Sequence, residues 1–366
     1  MSEKFIGKSL EIEGDSKQGE VAWRSPSNIA LVKYWGKHGR QLPRNPSLSF
    51  SLSNAYTDMQ IKYVVRNEEK ATASINFLFE GTKNEAFETR IQKYLDSIIL
   101  FYPFLKQVDL EVESQNSFPH SSGIASSASS MSALALCLTD IEYGLADKEM
   151  DEGFFHKASF IARLGSGSAS RSVYGDFCIW GTTSLHDKYS DDYAVSLDKV
   201  NPVFEKLHDD ILIVSSAEKS VSSTAGHGLM IDNPYAEIRY AEARKKLVSL
   251  AGIIDGGDIE AFGKIVEEEA LSLHALMMCS DPSYVLMEPA SLQIINEIRS
   301  FRNETKTPIF FTLDAGPNVH VIYPDSVKVV AQEFVKGVLL KHCEDGRHIF
   351  DMMGDGPQKI TYSNRA

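Results

Sequence analysis

One carboxylate, Asp314, closes an apolar run, Phe310-Phe311-Thr312-Leu313, and Ala315-Gly316-Pro317-Asn318 follows at once. An acid delivered at the end of a strand can have a tuned pKa and act as a base. The plainer alternative is a turn former. Cations that could serve it lie far away in the chain. Lys33 and Lys37 flank Tyr34, Trp35 and Gly36 in the stretch Asn28-Ile29-Ala30-Leu31-Val32-Lys33-Tyr34-Trp35-Gly36-Lys37. Such a pair suits a phosphorylated or carboxylated ligand, or is a solvated pair beside a core tryptophan. Arg171 sits among small residues, Gly165-Ser166-Gly167-Ser168-Ala169-Ser170 before it and Ser172 after it. A guanidinium there suits a carboxylate, and the alternative is a flexible turn with a surface arginine.

Two hydroxyl-rich segments complete the set. In Pro119-His120-Ser121-Ser122-Gly123-Ile124-Ala125-Ser126-Ser127-Ala128-Ser129-Ser130, small residues precede an apolar helical run. A loop at a helix N-terminus offers free N–H groups and the positive dipole end to an anion such as phosphate. Serine hydroxyls add donors and can reach a magnesium ion. The Gly-Lys-Ser/Thr of a Walker A loop is missing. A capped helix start is the alternative. Val221-Ser222-Ser223-Thr224-Ala225-Gly226 touches phosphate oxygens or only caps a helix.

These groups need a scaffold. Val21–Tyr34 begins as a strand and is expected to turn through Ser25-Pro26-Ser27-Asn28. Ser47–Ser53, Asp58–Val65, Ser74–Phe79 and Val108–Ser114 read as strands. Helical spacing covers Asn84–Phe101, Ala128–Tyr143 and Asp151–Leu164. Residues 186–202 read as a polar connector. Beyond it come a strand at Ile211–Ser215, helices at Ile238–Ile253 and Ile259–Leu276, strands at Ile309–Leu313 and Val319–Tyr323, and a closing helix at Val327–Leu340. The order predicts an α+β protein of two lobes, residues 1–204 and 205–366, with a cleft between them.

The bulk composition narrows the partners. The chain has 366 residues, 43% hydrophobic and 24% charged, with a net charge of −13. No basic run suggests nucleic acid or an anionic membrane. An anionic substrate therefore needs cations concentrated locally. Four cysteines, without CxxC spacing, read as reduced thiols, and no window reaches the roughly 18 apolar residues of a membrane span. The N-terminus lacks the apolar core of a signal peptide. A soluble, cytoplasmic protein is expected.

In this order the motifs resemble the GHMP superfamily of small-molecule kinases, and within it the diphosphomevalonate decarboxylase family. The family's Asn-Ile-Ala-x-x-Lys-Tyr-Trp-Gly-Lys matches Asn28–Lys37, and its Phe-Pro-x-x-x-Gly-Leu-Ala-Ser-Ser-Ala matches Phe118–Ala128 with Ile124 for leucine. Ser-Gly-Ser-Ala-Cys-Arg-Ser matches Ser166–Ser172 with Ser170 for cysteine. Val221–Gly226, Phe311–Asn318 and Gly354-Asp355-Gly356-Pro357-Gln358 match further motifs.

The resemblance implies a ribosomal protein S5 domain 2-like N-terminal lobe and a ferredoxin-like C-terminal lobe. It implies ATP with nucleotide-borne Mg2+, a homodimer, and phosphorylation of the C3 hydroxyl of diphosphomevalonate. Loss of phosphate and CO2 would then give isopentenyl diphosphate. It implies catalytic roles for Asp314, Lys33, Arg171 and Ser223. Tyr34, Trp35, Gly36, Lys37, Arg90, Ser166, Gly167, Ser168, Ala169, Ser170, Arg171 and Thr224 would line the substrate. Pro119, Ser121, Ser122, Gly123, Ile124, Ala125, Ser126 and Ser127 would hold ATP. His120 and His227 depart from the family pattern and read as local variations. The alternatives are a phosphomevalonate decarboxylase, a GHMP kinase that does not decarboxylate, and a non-catalytic ligand-binding relative.

Overall fold

The computed structural model describes residues 3–9, 17–118, 126–217 and 221–361, apart from the side chain of Ser223. Two sheets organise it. The larger has eight strands, and its main path runs Gln358–Lys359, Gln18–Val32, Ser47–Val65, Val108–Asn116, Ser74–Phe79 and Thr82–Lys83. Phe177–Trp180 pairs with the start of Ser47–Val65 and with Ala194–Ser196. The smaller sheet is antiparallel, in the order Phe310–Thr312, Val319–Pro324, Leu207–Leu212 and His348–Met352.

Local chemistry sets the element ends. Helix α1 is Glu85–Ile98, and its N-cap Asn84 accepts from the Phe87 amide. Helix α2 is Ser126–Leu145. Helix α3, Glu152–Gly165, is capped by Asp151 in the same way. Helix α4 is Ser223–Gly228, with Ser222 as N-cap. Helix α5, Ala236–Gly256, ends at Gly257, whose φ of 87° is the left-handed C-cap that favours glycine. Helix α6 is Ile259–Met278 and α7 is Pro289–Thr305.

The three most populous core clusters follow from this packing. One packs α1 to α3 on the larger sheet, with Ile61, Val112, Leu138 and Phe160 fully buried. The second joins the two sheets, setting Ile29 and Phe50 in one cluster with Ile211, Leu247 and Phe262. The third fills the outer face of the smaller sheet. The second cluster makes the lobes one packed body around the cleft.

Several elements differ from the sequence expectation. The turn through Ser25–Asn28 is absent: Gln18–Val32 is one strand, bent by register shifts between Pro26 and Asn28 and between Ala30 and Val32. Proline lacks an N–H, so it fits at such an irregularity. Ser47–Ser53 and Asp58–Val65 are one strand, Ser47–Val65. The connector at 186–202 contains the strand Ala194–Ser196, with Ala194 and Val195 buried. The closing helix is α-helical only over Lys328–Phe334 and widens to a π-turn over Val335–Leu339. Helix α7 and strand His348–Met352 were not anticipated. The chain's end crosses back: Trp23 and Arg24 pair with Lys359 and Gln358.

Candidate active site

The strand Gln18–Val32 ends beside the cleft and hands over Lys33. This lysine is 2% exposed, and its Nζ lies 2.9 Å from Asp314 Oδ1. Its backbone is held equally firmly. The Lys33 amide donates to Glu269 Oε2 at 3.1 Å, and its carbonyl accepts from Asn45 Nδ2 at 3.1 Å. Glu269 is fixed by a two-pronged pair with Arg239, at 2.6 and 2.9 Å. Both partners are buried. Asp314 follows the strand Phe310–Thr312, and its carbonyl oxygen lies 3.1 Å from His274 Nε2. A third of its side chain stays open to the cavity.

Arg171 comes from a 3-10 turn, Gly167–Val173, and is 2% exposed. Its Nε donates to Ser49 Oγ at 2.9 Å, one terminal nitrogen to Ser47 Oγ at 2.6 Å, and the other to Asn28 Oδ1 at 3.2 Å. All three acceptors are neutral. Among the described residues no carboxylate forms an ion pair with it. Burial pushes the guanidinium below its ordinary value. A buried cation held only by neutral partners is able to pair with an anion that enters the cavity.

Around these groups lies a cavity of about 440 Å³, lined among others by Asn28, Lys33, Lys37, Arg90, Arg171 and Asp314. Tyr34, Trp35, Ser126, Ser127, Ser166, Gly167, Ser168 and Thr224 also reach it. Gly36 has a φ of +90°, and a Cβ there would stand 2.2 Å from the Tyr240 hydroxyl, so only glycine fits. Ala169 and Ser170 are fully buried and do not line the cavity, and Ser170 Oγ bonds back to the Gly167 carbonyl. Arg90 reaches the cavity from the exposed face of α1. Pro119, His120, Ser121, Ser122, Gly123, Ile124 and Ala125 lie outside the described residues. So does the Ser223 side chain. A partly open carboxylate, two buried cations and further hydrogen-bond donors thus converge from both sheets. Among the described residues no group of three or more His, Cys, Asp or Glu is placed to hold a metal ion.

A family model described as the diphosphomevalonate decarboxylase-like N-terminal domain matches residues 25–193. A second, the mevalonate 5-diphosphate decarboxylase C-terminal domain, matches residues 210–359. The chain belongs to the diphosphomevalonate decarboxylase family. The diphosphomevalonate decarboxylase of Candida albicans is 32% identical over 87% of this chain and 87% of its own. The phosphomevalonate decarboxylase of Haloferax volcanii is 29% identical over 80% and 84%. A solved structure of MDDEF with MVAPP, AMPPCP and magnesium is 27% identical, with a TM-score of 0.78, and covers 94% of this chain and all of that one. The two sheets are thus the two lobes of the GHMP kinase-like fold.

In this decarboxylase-family frame, several residues around the site escaped the sequence reading. Ser47, Ser49 and Ser51 occupy one face of a strand and are all buried. The serine alternation was visible, but nothing in it pointed to Arg171. Glu269 and Arg239 carried no signal, being ordinary helix residues. Gln41, which accepts from Lys37 Nζ at 3.0 Å, was likewise silent. Burial lowers the Lys37 pKa.

Proposed function

We propose that the protein carries out the ATP-dependent decarboxylation of 5-diphosphomevalonate, releasing isopentenyl diphosphate, ADP, phosphate and CO2. The observation that carries this reading is the placement of Arg171, a buried guanidinium with no carboxylate ion-paired to it among the described residues, on the same cavity as the Lys33–Asp314 pair. A guanidinium in that place suits a substrate that carries a carboxylate beside the hydroxyl to be phosphorylated. Names among the similar proteins, diphosphomevalonate decarboxylase and a complex with an ATP analogue and magnesium, support it.

ATP with its magnesium supplies the phosphoryl group that turns the C3 hydroxyl into a leaving group. Asp314 faces that hydroxyl and takes its proton. Lys33 fixes Asp314 and offsets charge on the reacting oxygens. Arg171 holds the substrate carboxylate. When the C–C bond to that carboxylate breaks, its electron pair forms the new double bond, and the phosphorylated oxygen leaves with the pair of the C3–O bond. Ser222, Ser223 and Thr224 come from the start of α4 beside the site, where the proposed role of Ser223 is to place the phosphoryl group. Lys37, Arg90, Ser166 and Ser168 are proposed to hold the phosphate end of the substrate.

The nucleotide also has room. A second cavity of about 420 Å³, lined by Phe77, Phe79, Phe87, Ile91 and Met131, shares Arg90, Ser126, Ser127 and Gly165 with the first. An apolar pocket fits a purine, and the shared wall at the start of α2 fits its phosphates. The proposed lobes are residues 1–204 and 205–366, with Gln358–Lys359 returned to the first lobe's sheet. A cytoplasmic homodimer rests on the family resemblance. No helix among the described residues is long and apolar enough to cross a membrane, and sedimentation checks the dimer.

A second reading, a monophosphorylated substrate, is favoured by the name of the Haloferax volcanii relative. One assay separates the readings. The protein receives ATP, magnesium and mevalonate bearing none, one or two phosphates, and ADP and CO2 are measured together. Equal release with the diphosphate is the expected result. ADP without CO2 would sink decarboxylation, and CO2 from the monophosphate alone would select the second reading.

A further inference from the structure

His227 lies on α4, in the turn that also carries Ser222 and Thr224. Its ring packs against both aromatic residues of the lysine loop, with centroids 4.4 Å from Tyr34 and 4.6 Å from Trp35. Gly226 permits this approach, since a Cβ there would stand 2.5 Å from the Trp35 ring. The Gly36 amide donates to His227 Nδ1 at 2.9 Å. With Nδ1 accepting, a neutral ring carries its proton on Nε2. Burial first, and then the Lys37 charge, push the imidazole down to about 3, which keeps it neutral. Nε2 has no partner among the described residues, and the ring lines the larger cavity.

We propose that His227 is a substrate-positioning residue whose Nδ1 anchors the Gly36 amide and whose Nε2–H donates to the phosphate end of the substrate. The inference rests on the proposed decarboxylase reading. Arg171 and Asp314 account for the carboxylate and the C3 hydroxyl. The remaining anionic part of such a substrate is its phosphate. His227 stands on that side, joined through Gly36 to Lys37. Its neutrality makes it a directional donor rather than another point charge, so it reads phosphate position and not only charge.

Steady-state kinetics on three variants test this. His227→Phe keeps a ring between Tyr34 and Trp35 but removes both nitrogens. His227→Gln restores a donor near the reach of Nε2, and His227→Asn an acceptor near that of Nδ1. His227→Phe is expected to raise KM for the phosphorylated mevalonate about tenfold or more, equivalent to about 1.4 kcal/mol, and to leave KM for ATP within about twofold. His227→Gln should recover most of that loss and His227→Asn less. An unchanged substrate KM in His227→Phe overturns the proposal. So does an equal KM in the Gln and Phe variants, or a parallel rise in both KM values. If His227→Phe does not fold, the Gln and Asn variants decide by the same ordering. Wild-type protein that turns over no mevalonate would instead overturn the decarboxylase reading, and calorimetric binding of mevalonate diphosphate to the same proteins would still test the donor.

Discussion

Lys33 Nζ and Asp314 Oδ1 stand 2.9 Å apart although they are 281 positions apart in the chain. The lysine is buried and the aspartate is partly open, so of the two the carboxylate is the more accessible from the cavity. The pair also joins the lobes, since Lys33 follows a strand of the larger sheet and Asp314 a strand of the smaller one.

Replacing the open member tests its chemistry. Asp314→Asn keeps the shape and removes the charge. Turnover should fall about 10²–10⁴-fold, with nucleotide affinity within twofold. Coupled release of ADP and CO2 measures the first, and calorimetric titration with a nucleotide the second. Loss of folding would mark Asp314 as a structural turn residue.

Arg171 is held in three directions by Ser47, Ser49 and Asn28. Arg171→Lys keeps the charge but cannot reproduce that fork. We expect kcat/KM to fall at least about a hundredfold. CO2 release should fall further than ADP release, because carboxylate orientation matters most after phosphorylation. A ratio of ADP to CO2 that stays at one would contradict the assigned role.

The Arg239–Glu269 pair lies behind Lys33 and is buried on both sides. Glu269→Ala leaves an uncompensated cation and frees the Lys33 amide. A loss of about 3–5 kcal/mol is expected in urea unfolding. Replacing both partners with apolar residues of similar volume should recover most of that stability but not the activity, since the Lys33 amide still lacks its acceptor.

Asp210 gives the molecule a pH dependence away from the site. Burial pushes its carboxyl up to about 7, and its Oδ1 finds no partner among the described residues, although Tyr323 donates to Oδ2 at 2.6 Å. The unfolded carboxyl titrates near about 4. The native state therefore binds more protons between these values. Its contribution is fully present below about pH 4 and is lost as pH rises toward about 7. Asp210→Asn keeps the neutral form throughout. It should match the wild type near pH 4 and exceed it at pH 8 by on the order of 2–4 kcal/mol. Urea unfolding at the two values checks this, and a variant less stable at pH 8 would refute it.

The residue types at the site were legible in the sequence, because phosphate, carboxylate and a transferable proton each demand a narrow set of side chains. Lys33, Arg171, Asp314 and the serine-rich loop stood out by type, spacing and resemblance. The helices were legible too, through caps such as Asn84 and Asp151 and through apolar periodicity. Their convergence was not. Lys33 meets Asp314 only because the two sheets share a core, and long-range packing leaves no local period. Local preference also misled at Pro26, where pairing on a long buried strand outweighed a turn signal. Sequence alone could not tell that Ser47 and Ser49 face a guanidinium, because a serine alternation reads the same whether its hydroxyls meet water or Arg171. Nor could it show that His227 is buried, neutral and wedged against Tyr34 and Trp35. The charge state of an imidazole is set by the solvent it loses and the cations it gains, and both are properties of the tertiary structure.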